Sequence, residues 1–286
     1  VQKDIMRNKL LVTTGFNVID PEKFIERDKK DTIFIYTAEK LLEIKKDSIT
    51  PRDYTEEDVV LESYLSKDHL GNPIHFDDSI NYLNYKSLPF YEKMAGDDEA
   101  FLYAKCIIGY LISTYRSANE NKVVVLFDGL DDNDNGGGTG KSLVMRVVEH
   151  VRNILKIVDP HEGRFIYDGL ENQTNVMLDD VSWISFSIKN IKPFTELCVT
   201  KQVKYQNTSY TTAHNTPRLC ISSNFYPNLE HESYFSRCVF FNPTTFFKRG
   251  VRDGYTWLAE LHAIPSGKYK IMEYETEEEW SHFMAF

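Results

Sequence analysis

The sequence predicts an α/β fold with a central parallel sheet over residues 119–286, preceded by a mostly helical region over residues 1–118. Two observations predict the sheet. Short apolar runs typical of buried strands alternate with helical patterns from Lys122 onward. The first run, residues 123–127, leads through a glycine cluster into a helical pattern over residues 143–155. We therefore expect parallel strands that are joined by helices.

Three further apolar runs are predicted to be strands of the same sheet. They cover residues 174–178, 219–222 and 238–241. Polar residues flank each run, and ligands of parallel sheets bind at the carboxyl ends of the strands. The ends of these strands are therefore the places where we expect the chemistry.

The N-terminal region carries less information. Its clearest helix is predicted over residues 99–117, where apolar and aromatic side chains recur near one face. Prolines and a Gly-Asn-Pro turn divide the remainder into short units. No residue before Tyr91 carries recognisable chemistry, so we expect a packing or assembly role for this region.

Composition excludes several classes of protein. The formal net charge is −10, which argues against a protein that coats nucleic acid, although a local basic site stays open. The four cysteines are widely spaced within apolar runs, as expected for buried free thiols in a reducing cytoplasm. Apolar runs are too short to span a bilayer and no signal peptide is recognisable, so we expect a cytoplasmic protein without membrane contact.

The loop after the first strand is the most specific motif of the chain. Its glycines allow backbone N–H groups to approach phosphate oxygens closely, and the helix that follows presents a positive dipole end. Lys141 supplies a charge for the β- and γ-phosphates, and the Ser142 hydroxyl is suited to Mg²⁺. Asn135 occupies the position where the usual motif has its first glycine; the alternative is a merely flexible glycine loop. The predicted nucleotide-binding residues are Gly136, Gly137, Gly138, Thr139, Gly140, Lys141 and Ser142.

Two aspartates end the predicted strand at residues 174–178. At the carboxyl edge of the sheet they would lie beside the phosphate loop. Asp179 is predicted to hold Mg²⁺ through water together with Ser142, and Asp180 to orient and deprotonate the attacking water. The alternative is a solvated turn.

Two further polar residues complete the candidate site. Asn224 follows an apolar strand and can set a neutral amide against the γ-phosphate and the attacking water; otherwise it is a turn former. Arg237 enters the strand at residues 238–241 and is a candidate finger that reaches the nucleotide of a neighbouring subunit. Its alternative is a structural salt bridge, in which case Arg218 or Arg249 would be the finger.

In this order the motifs resemble those of the superfamily 3 helicases, which are viral and phage members of the AAA+ ATPases. The resemblance covers roughly residues 83–286 and is greatest to the helicase portion of phage and mobile-element primase-helicases of the poxvirus type. Some members of that family carry an acidic, Asn-rich insertion like residues 128–135, and an acidic-aromatic segment like residues 277–283 also recurs among them. The resemblance implies a P-loop AAA+-like ATPase core that uses ATP and Mg²⁺. Its catalytic residues would be Lys141, Asp180, Asn224 and Arg237.

The resemblance also implies a nucleic-acid-binding segment. Residues 198–228 contain no Asp or Glu, although the chain has 43 of them. In the resembled family this interval forms a β-hairpin that grips nucleic acid in a central channel. Lys201 and Lys204 would contact phosphates and Tyr205 would stack on a base. The alternative is a polar surface hairpin whose lack of acids is chance.

The preferred interpretation is an ATP-dependent helicase or translocase domain that acts on single-stranded DNA during phage or mobile-element replication. The family implies a homo-oligomer, a hexameric ring with ATP hydrolysed between subunits, and a fused or associated primase or polymerase. A phage-encoded protein would act in the bacterial cytoplasm. The alternatives are a P-loop ATPase that remodels or loads other proteins, an RNA-directed viral relative, and a degenerate ATPase domain that serves only as an assembly platform.

Overall fold

The computed structural model forms two compact units, each of which is described by itself. The first contains the described residues up to 77 and Ser113–Tyr115, and the second contains Ser87–Ile112 and the described residues from Arg116 onward. The structure describes residues 26–55, 58, 60, 62–68, 70–77, 87–117, 120–130, 137–158, 160, 167, 169–170, 173–182, 188–202, 209–212, 216–225 and 232–247.

The first unit is built on a three-stranded antiparallel sheet. The strands are β1 (Ile33–Tyr36), β2 (Lys40–Lys45) and β3 (Ser48–Asp53), in that spatial order. A two-residue turn joins β2 to β3, which pairs Lys45 with Ser48. Phe34, Tyr36, Leu41 and Leu65 form a small buried cluster against this sheet.

The prediction of a mostly helical region over residues 1–118 is not confirmed for residues 26–77. The described part of this segment holds three strands, a single 3₁₀ turn at Glu62–Tyr64 and no α-helix. The physical reason is the β-branched and aromatic content of β1 and the tight turn after β2, which favour a hairpin sheet over helices. The boundary between residues 118 and 119 stays a prediction.

The second unit begins with two helices. They are α1 (Leu88–Ala95) and α2 (Asp98–Ile112), and α2 confirms the helix predicted over residues 99–117. The helix ends earlier than predicted because Ser113 and Thr114 are poorer helix formers than the residues before them. The phenol oxygen of Tyr91 in α1 lies 3.2 Å from the Leu143 carbonyl oxygen, to which it donates a hydrogen bond, so α1 supports the element that follows the phosphate loop.

A five-stranded parallel sheet forms the centre of this unit, which confirms the predicted α/β class. The strands are β4 (Val123–Leu130), β5 (Ile154–Val158), β6 (Asn175–Asp179), β9 (Arg218–Phe225) and β10 (Cys238–Phe241), with helices α3 (Lys141–Val151), α4 (Ile188–Thr195) and α5 (Glu232–Arg237) between them. Their spatial order is β10-β4-β9-β6-β5, and every neighbouring pair is parallel. The apolar faces of the inner strands pack into one buried core with residues from the flanking helix α4.

The helix after the phosphate loop is shorter than predicted. Residues 143–155 were expected to be helical, whereas α3 ends at Val151 and β5 begins at Ile154. Arg152 has an extended backbone, with φ −143°, and its guanidinium donates to the Ile112 carbonyl oxygen at 2.6 Å. The alternating Ile-Leu-Lys-Ile-Val run that follows then pairs with β6 as an edge strand.

The sheet register brings three strand ends together. Phe127 of β4 is paired with Ser223 of β9, and Leu178 of β6 is paired with Ile221 of β9. The residues that follow these pairs therefore share the carboxyl edge of the sheet, where the loop leading into α3 also begins. This edge carries the candidate site.

Candidate functional site

The phosphate loop has the backbone that a glycine-rich anion loop requires. Gly137, Gly138 and Gly140 have φ values of +108°, +81° and +97°, a region that side chains rarely adopt. A Cβ at Gly140 would lie 2.6 Å from Cζ of Phe90. Glycine at position 140 is therefore required by both its backbone angle and the close approach of α1. Gly136 lies outside the described residues.

Lys141 and Ser142 open the helix that follows the loop. They are the first two residues of α3, where unpaired backbone N–H groups and the helix dipole favour an anion. The Lys141 side chain is buried, and its ammonium contacts the Asp128 carboxylate and donates to Oδ1 of Asn224 at 3.1 Å. Ser142 is exposed at the helix start. Both residues therefore lie at the start of the helix that follows the loop, and their contacts with nucleotide and Mg²⁺ stay predictions.

Asp128 contacts the phosphate loop, although it was not among the predicted site residues. Its side chain is fully buried, at 0% exposure. The carboxylate accepts the Gly137 N–H at 2.9 Å and also binds the Thr139 hydroxyl and the Lys141 ammonium. The resemblance places Asp128 at the start of an insertion, whereas β4 continues through Leu130, so Asp128 lies within the strand. The signal was the rule already used for Asp179: an acid directly after an apolar strand run.

Asp179 ends β6 between two hydrogen-bond donors. Its Oδ1 accepts the Ser222 hydroxyl, and its Oδ2 lies 3.0 Å from Nζ of Lys156 on the neighbouring strand. Burial raises the pKa of the Asp179 carboxyl, but the bonds from Ser222 and Lys156 outweigh burial and leave the pKa below its usual value. Asp179 is thus an anion held in a fixed orientation. Lys156 and Ser222 were not predicted.

Asp180 adopts an unusual backbone conformation next to Asp179. Its φ is +60°, in the left-handed region that Asp tolerates better than most residues. Its backbone N–H donates to the Ser222 hydroxyl oxygen at 3.2 Å. Non-glycine residues with positive φ are concentrated at functional sites, and this geometry turns the Asp180 carboxylate toward Asn224.

Asn224 connects the phosphate loop to the acid pair. Its Nδ2 donates to Oδ1 of Asp180 at 2.8 Å, while its Oδ1 accepts from Lys141. One amide therefore bridges the lysine of the loop and the predicted general base. The structure joins Lys141, Asn224 and Asp180 through these hydrogen bonds, and Asp179 directly precedes Asp180; their roles in catalysis stay predictions.

The structure does not bring Arg237 into this cluster. Arg237 is the last residue of α5, and its guanidinium donates to Oγ1 of Thr195 at 2.9 Å and to Oε1 of Glu196 at 3.4 Å. The next residue, Cys238, is paired with Val123 at the amino end of β4. Arg237 therefore lies at the opposite edge of the sheet from its own phosphate loop, roughly 15 Å away for five residues of strand.

The alternative finger positions are also constrained. Arg218 is buried at the start of β9, and its Cζ lies 3.5 Å from the centroid of the Tyr110 ring. This stacking is typical of a structural cation–π contact inside the unit and removes Arg218 from a surface role. Arg249 lies outside the described residues.

The structure contains the two strands of the predicted hairpin. β7 (Val199–Gln202) pairs antiparallel with β8 (Ser209–Thr212), and Lys201 is opposite Tyr210. Lys204 and Tyr205 lie between these strands and outside the described residues. The nucleic-acid contacts of Lys201, Lys204 and Tyr205 stay predictions.

The donor set fits Mg²⁺ in the manner usual for phosphate sites. The Ser142 hydroxyl at the start of α3 and the Asp179 carboxylate at the end of β6 are oxygen donors of the kind that Mg²⁺ prefers. Mg²⁺ usually takes one or two protein oxygens and completes its shell with waters and substrate phosphates. Among the described residues no group of three His, Cys, Asp or Glu side chains is arranged to hold a metal ion by itself.

Comparisons with known proteins give structural matches only. No family model and no curated protein matches the chain. The A-form apo structure of the NrS-1 C terminal region matches with a TM-score of 0.47 at 14% identity, over 89% of this chain and 65% of that one. The structure described as residues 305–718 of the same region gives a TM-score of 0.35 at 11% identity, over 88% and 68%. Both TM-scores lie below 0.5, and this chain spans about two thirds of the length of each matched structure.

The described part of the chain also contains no helix with the length and apolarity needed to cross a membrane.

Proposed function

We propose that this chain is an ATPase of the superfamily 3 helicase type, which binds ATP with Mg²⁺ and hydrolyses it by water attack on the γ-phosphate. The observation that carries the proposal is the Asn224 bridge, in which one amide contacts both Lys141 and Asp180. A glycine loop alone would support binding only. A loop joined to a carboxylate that can activate water supports hydrolysis.

The residues divide the work of this reaction. Backbone N–H groups of the loop and the Lys141 ammonium bind the phosphates and stabilise the charge that develops on them. Asp180 accepts a proton from the attacking water, and Asn224 holds that water and the γ-phosphate in line. Mg²⁺, when bound by Ser142 and Asp179, supplies charge neutralisation of the β- and γ-phosphate oxygens.

We propose further that the site is completed by a second copy of the chain in a ring, a hexamer in the resembled family. Arg237 supports this proposal because it lies at the sheet edge opposite its own phosphate loop. An arginine in that position can serve a neighbour's nucleotide but not its own. The contacts to Thr195 and Glu196 would then hold the guanidinium in place for the neighbour.

The proposed substrate for translocation is single-stranded DNA. The β7–β8 hairpin supports this, since it lies in the longest acid-poor interval around the site and carries Lys201 at its stem. Two or three phosphate contacts per subunit would require several subunits around one strand for useful affinity. We place this activity in phage or mobile-element replication, beside a fused or associated primase or polymerase.

The test is the rate of ATP hydrolysis with and without single-stranded DNA, measured together with the oligomeric mass. The proposal predicts DNA-stimulated hydrolysis by an oligomer and a weaker, less salt-dependent DNA affinity in Lys204→Ala. Lys46→Ala is the matched control, because Lys46 is exposed in the turn between β2 and β3. Hydrolysis without DNA binding would favour the protein-remodelling ATPase, and stimulation by RNA alone would favour the RNA-directed relative.

A further inference from the structure

The buried carboxylate of Asp128 has no place in the reaction as proposed, yet it binds the phosphate loop directly. We propose that Asp128 competes with nucleotide phosphate for Lys141 and thereby sets a weak, exchangeable nucleotide affinity. This inference rests on the proposed nucleotide binding at the same loop. It concerns how tightly the nucleotide is held and how readily the product leaves.

The contacts of Asp128 are those that an anion in the loop would seek. The carboxylate accepts a backbone N–H from Gly137 and binds the Thr139 hydroxyl and the Lys141 ammonium. Two of these donors, the glycine N–H and the lysine, are of the kind that phosphate loops use for phosphate oxygens. Asp128 therefore engages the loop with an anion that belongs to the chain itself.

Burial strengthens the interaction between the Asp128 carboxylate and the Lys141 ammonium. The side chains of Asp128 and Lys141 are 0% and 7% exposed, so the carboxylate already compensates the charge of the ammonium in a poorly solvated place. A triphosphate that approaches Lys141 meets the negative charge of Asp128 at short range. Either the carboxylate gives up the lysine or two anions share it, and both outcomes reduce the affinity for nucleotide.

The surrounding charges do not offset this effect. Among the described residues of the site, the carboxylates are Asp128, Asp179 and Asp180, and the ammonium groups are Lys141 and Lys156. Lys156 is occupied by Asp179, at 3.0 Å. The cluster is therefore negative by one charge before a nucleotide adds its own, and Asp128 is the carboxylate in direct contact with the loop.

Replacement by asparagine separates charge from hydrogen bonding at this position. The amide oxygen of Asp128→Asn can still accept from Gly137, and its NH₂ group can donate to the rotatable Thr139 hydroxyl. Only the charge that opposes phosphate is lost. A competitor predicts tighter nucleotide binding in this variant, whereas a purely structural carboxylate predicts weaker binding.

The experiment compares the Kd for MgADP and the kcat and KM for ATP in wild type, Asp128→Asn and Asp128→Ser. We expect the neutral variants to lower the Kd by about tenfold, which corresponds to about 1.4 kcal/mol, and to lower kcat as well because ADP leaves more slowly. Asp98→Asn, which removes an exposed carboxylate in α2, is the matched control and should leave the Kd unchanged.

Each outcome has one meaning. If wild type fails to bind MgADP or ATP, the proposed function itself is wrong. If wild type binds and a folded neutral variant binds with equal or weaker affinity, Asp128 is not a competitor and this inference is overturned. If neither neutral variant folds, the carboxylate is required by the fold and cannot be a displaceable competitor, which also overturns it.

Discussion

The Lys156 ammonium lies 3.0 Å from Oδ2 of Asp179, the carboxylate that ends β6 at the edge of the candidate site. A cation of the chain therefore contacts the residue predicted to bind Mg²⁺. If Asp179 binds Mg²⁺ as we propose, Lys156 would compete with the ion for this carboxylate, and removing the lysine would free it. We expect Lys156→Gln to lower the Mg²⁺ concentration that gives half-maximal ATP hydrolysis by about 2–5-fold. The control, Lys46→Gln, should leave this concentration unchanged.

The same pair predicts a pH dependence of stability. The folded-state pKa of Asp179 lies below its usual value, so its contribution to the free energy of unfolding is present above the unfolded-state pKa of about 3.9. It is lost as pH falls through the folded-state value. Wild type and Lys156→Gln should therefore differ in urea midpoint at pH 6 and converge in acid. A difference that persists unchanged at the lowest pH would contradict the ion pair.

The buried Lys141–Asp128 pair predicts a coupled effect of mutation. Lys141→Ala should abolish ATP turnover and also destabilise the protein by about 3–5 kcal/mol, because it leaves the Asp128 carboxylate buried without its cation. Adding Asp128→Asn to the same chain should recover most of the stability but none of the turnover. Urea unfolding of the two single variants and the double variant measures the coupling. Additive losses would show that the two side chains do not interact.

Gly140 tests the support of the loop by α1. A side chain there would meet the Phe90 ring at 2.6 Å and would have to adopt φ +97°, so Gly140→Ala should cost about 1–2 kcal/mol or more and weaken nucleotide binding. Gly109 in α2 is the matched control because nothing lies within 4 Å of its added Cβ. Gly109→Ala should stabilise the helix by up to about 1 kcal/mol. If Gly140→Ala and Gly109→Ala had equal thermal midpoints, the close approach of Phe90 to Gly140 described above would be wrong.

Arg237 predicts complementation between subunits. Arg237→Ala should bind ATP normally and lose hydrolysis, because the proposed arginine finger acts on the nucleotide of the neighbouring subunit and not on ATP binding to its own loop. Mixing Arg237→Ala with Lys141→Ala should restore part of the activity, since the first variant supplies an intact loop and the second an intact arginine. Glu196→Gln tests the alternative of a structural salt bridge, because it removes a carboxylate that contacts Arg237 and spares the arginine. No recovery in mixed oligomers, with equal losses in Arg237→Ala and Glu196→Gln, would favour that alternative.

The sequence predicts those site residues that can be recognised from one strand and the residues directly after it. Asp179, Asp180 and Asn224 were predicted because each follows an apolar run, and parallel strands bring such ends together. Asp128 also follows an apolar run, but the resemblance places it in the acidic, Asn-rich insertion over residues 128–135, and its role in the loop was missed for that reason. These residues required local pattern alone.

The remaining features depend on contacts between distant parts of the chain. Lys156 contacts Asp179 because β5 pairs with β6. The sequences of the two strands do not predict that they are neighbours in the sheet. Arg218 is buried because the Tyr110 ring of α2 covers it. The sheet of the first unit was missed because charged residues at its turns and edges obscure the alternation of β2 and β3.

The Asn224 amide joins the lysine of the phosphate loop to Asp180, which we propose is the general base. The most direct test is phosphate release from ATP by wild type and Asp180→Asn at saturating Mg²⁺, with Asp47→Asn as an exposed control. We predict that Asp180→Asn retains ATP binding and loses hydrolysis by at least about 100-fold. A wild type that does not hydrolyse ATP would show that the chain is not an ATPase, and an Asp180→Asn variant that hydrolyses ATP at the wild-type rate would show that Asp180 is not the general base.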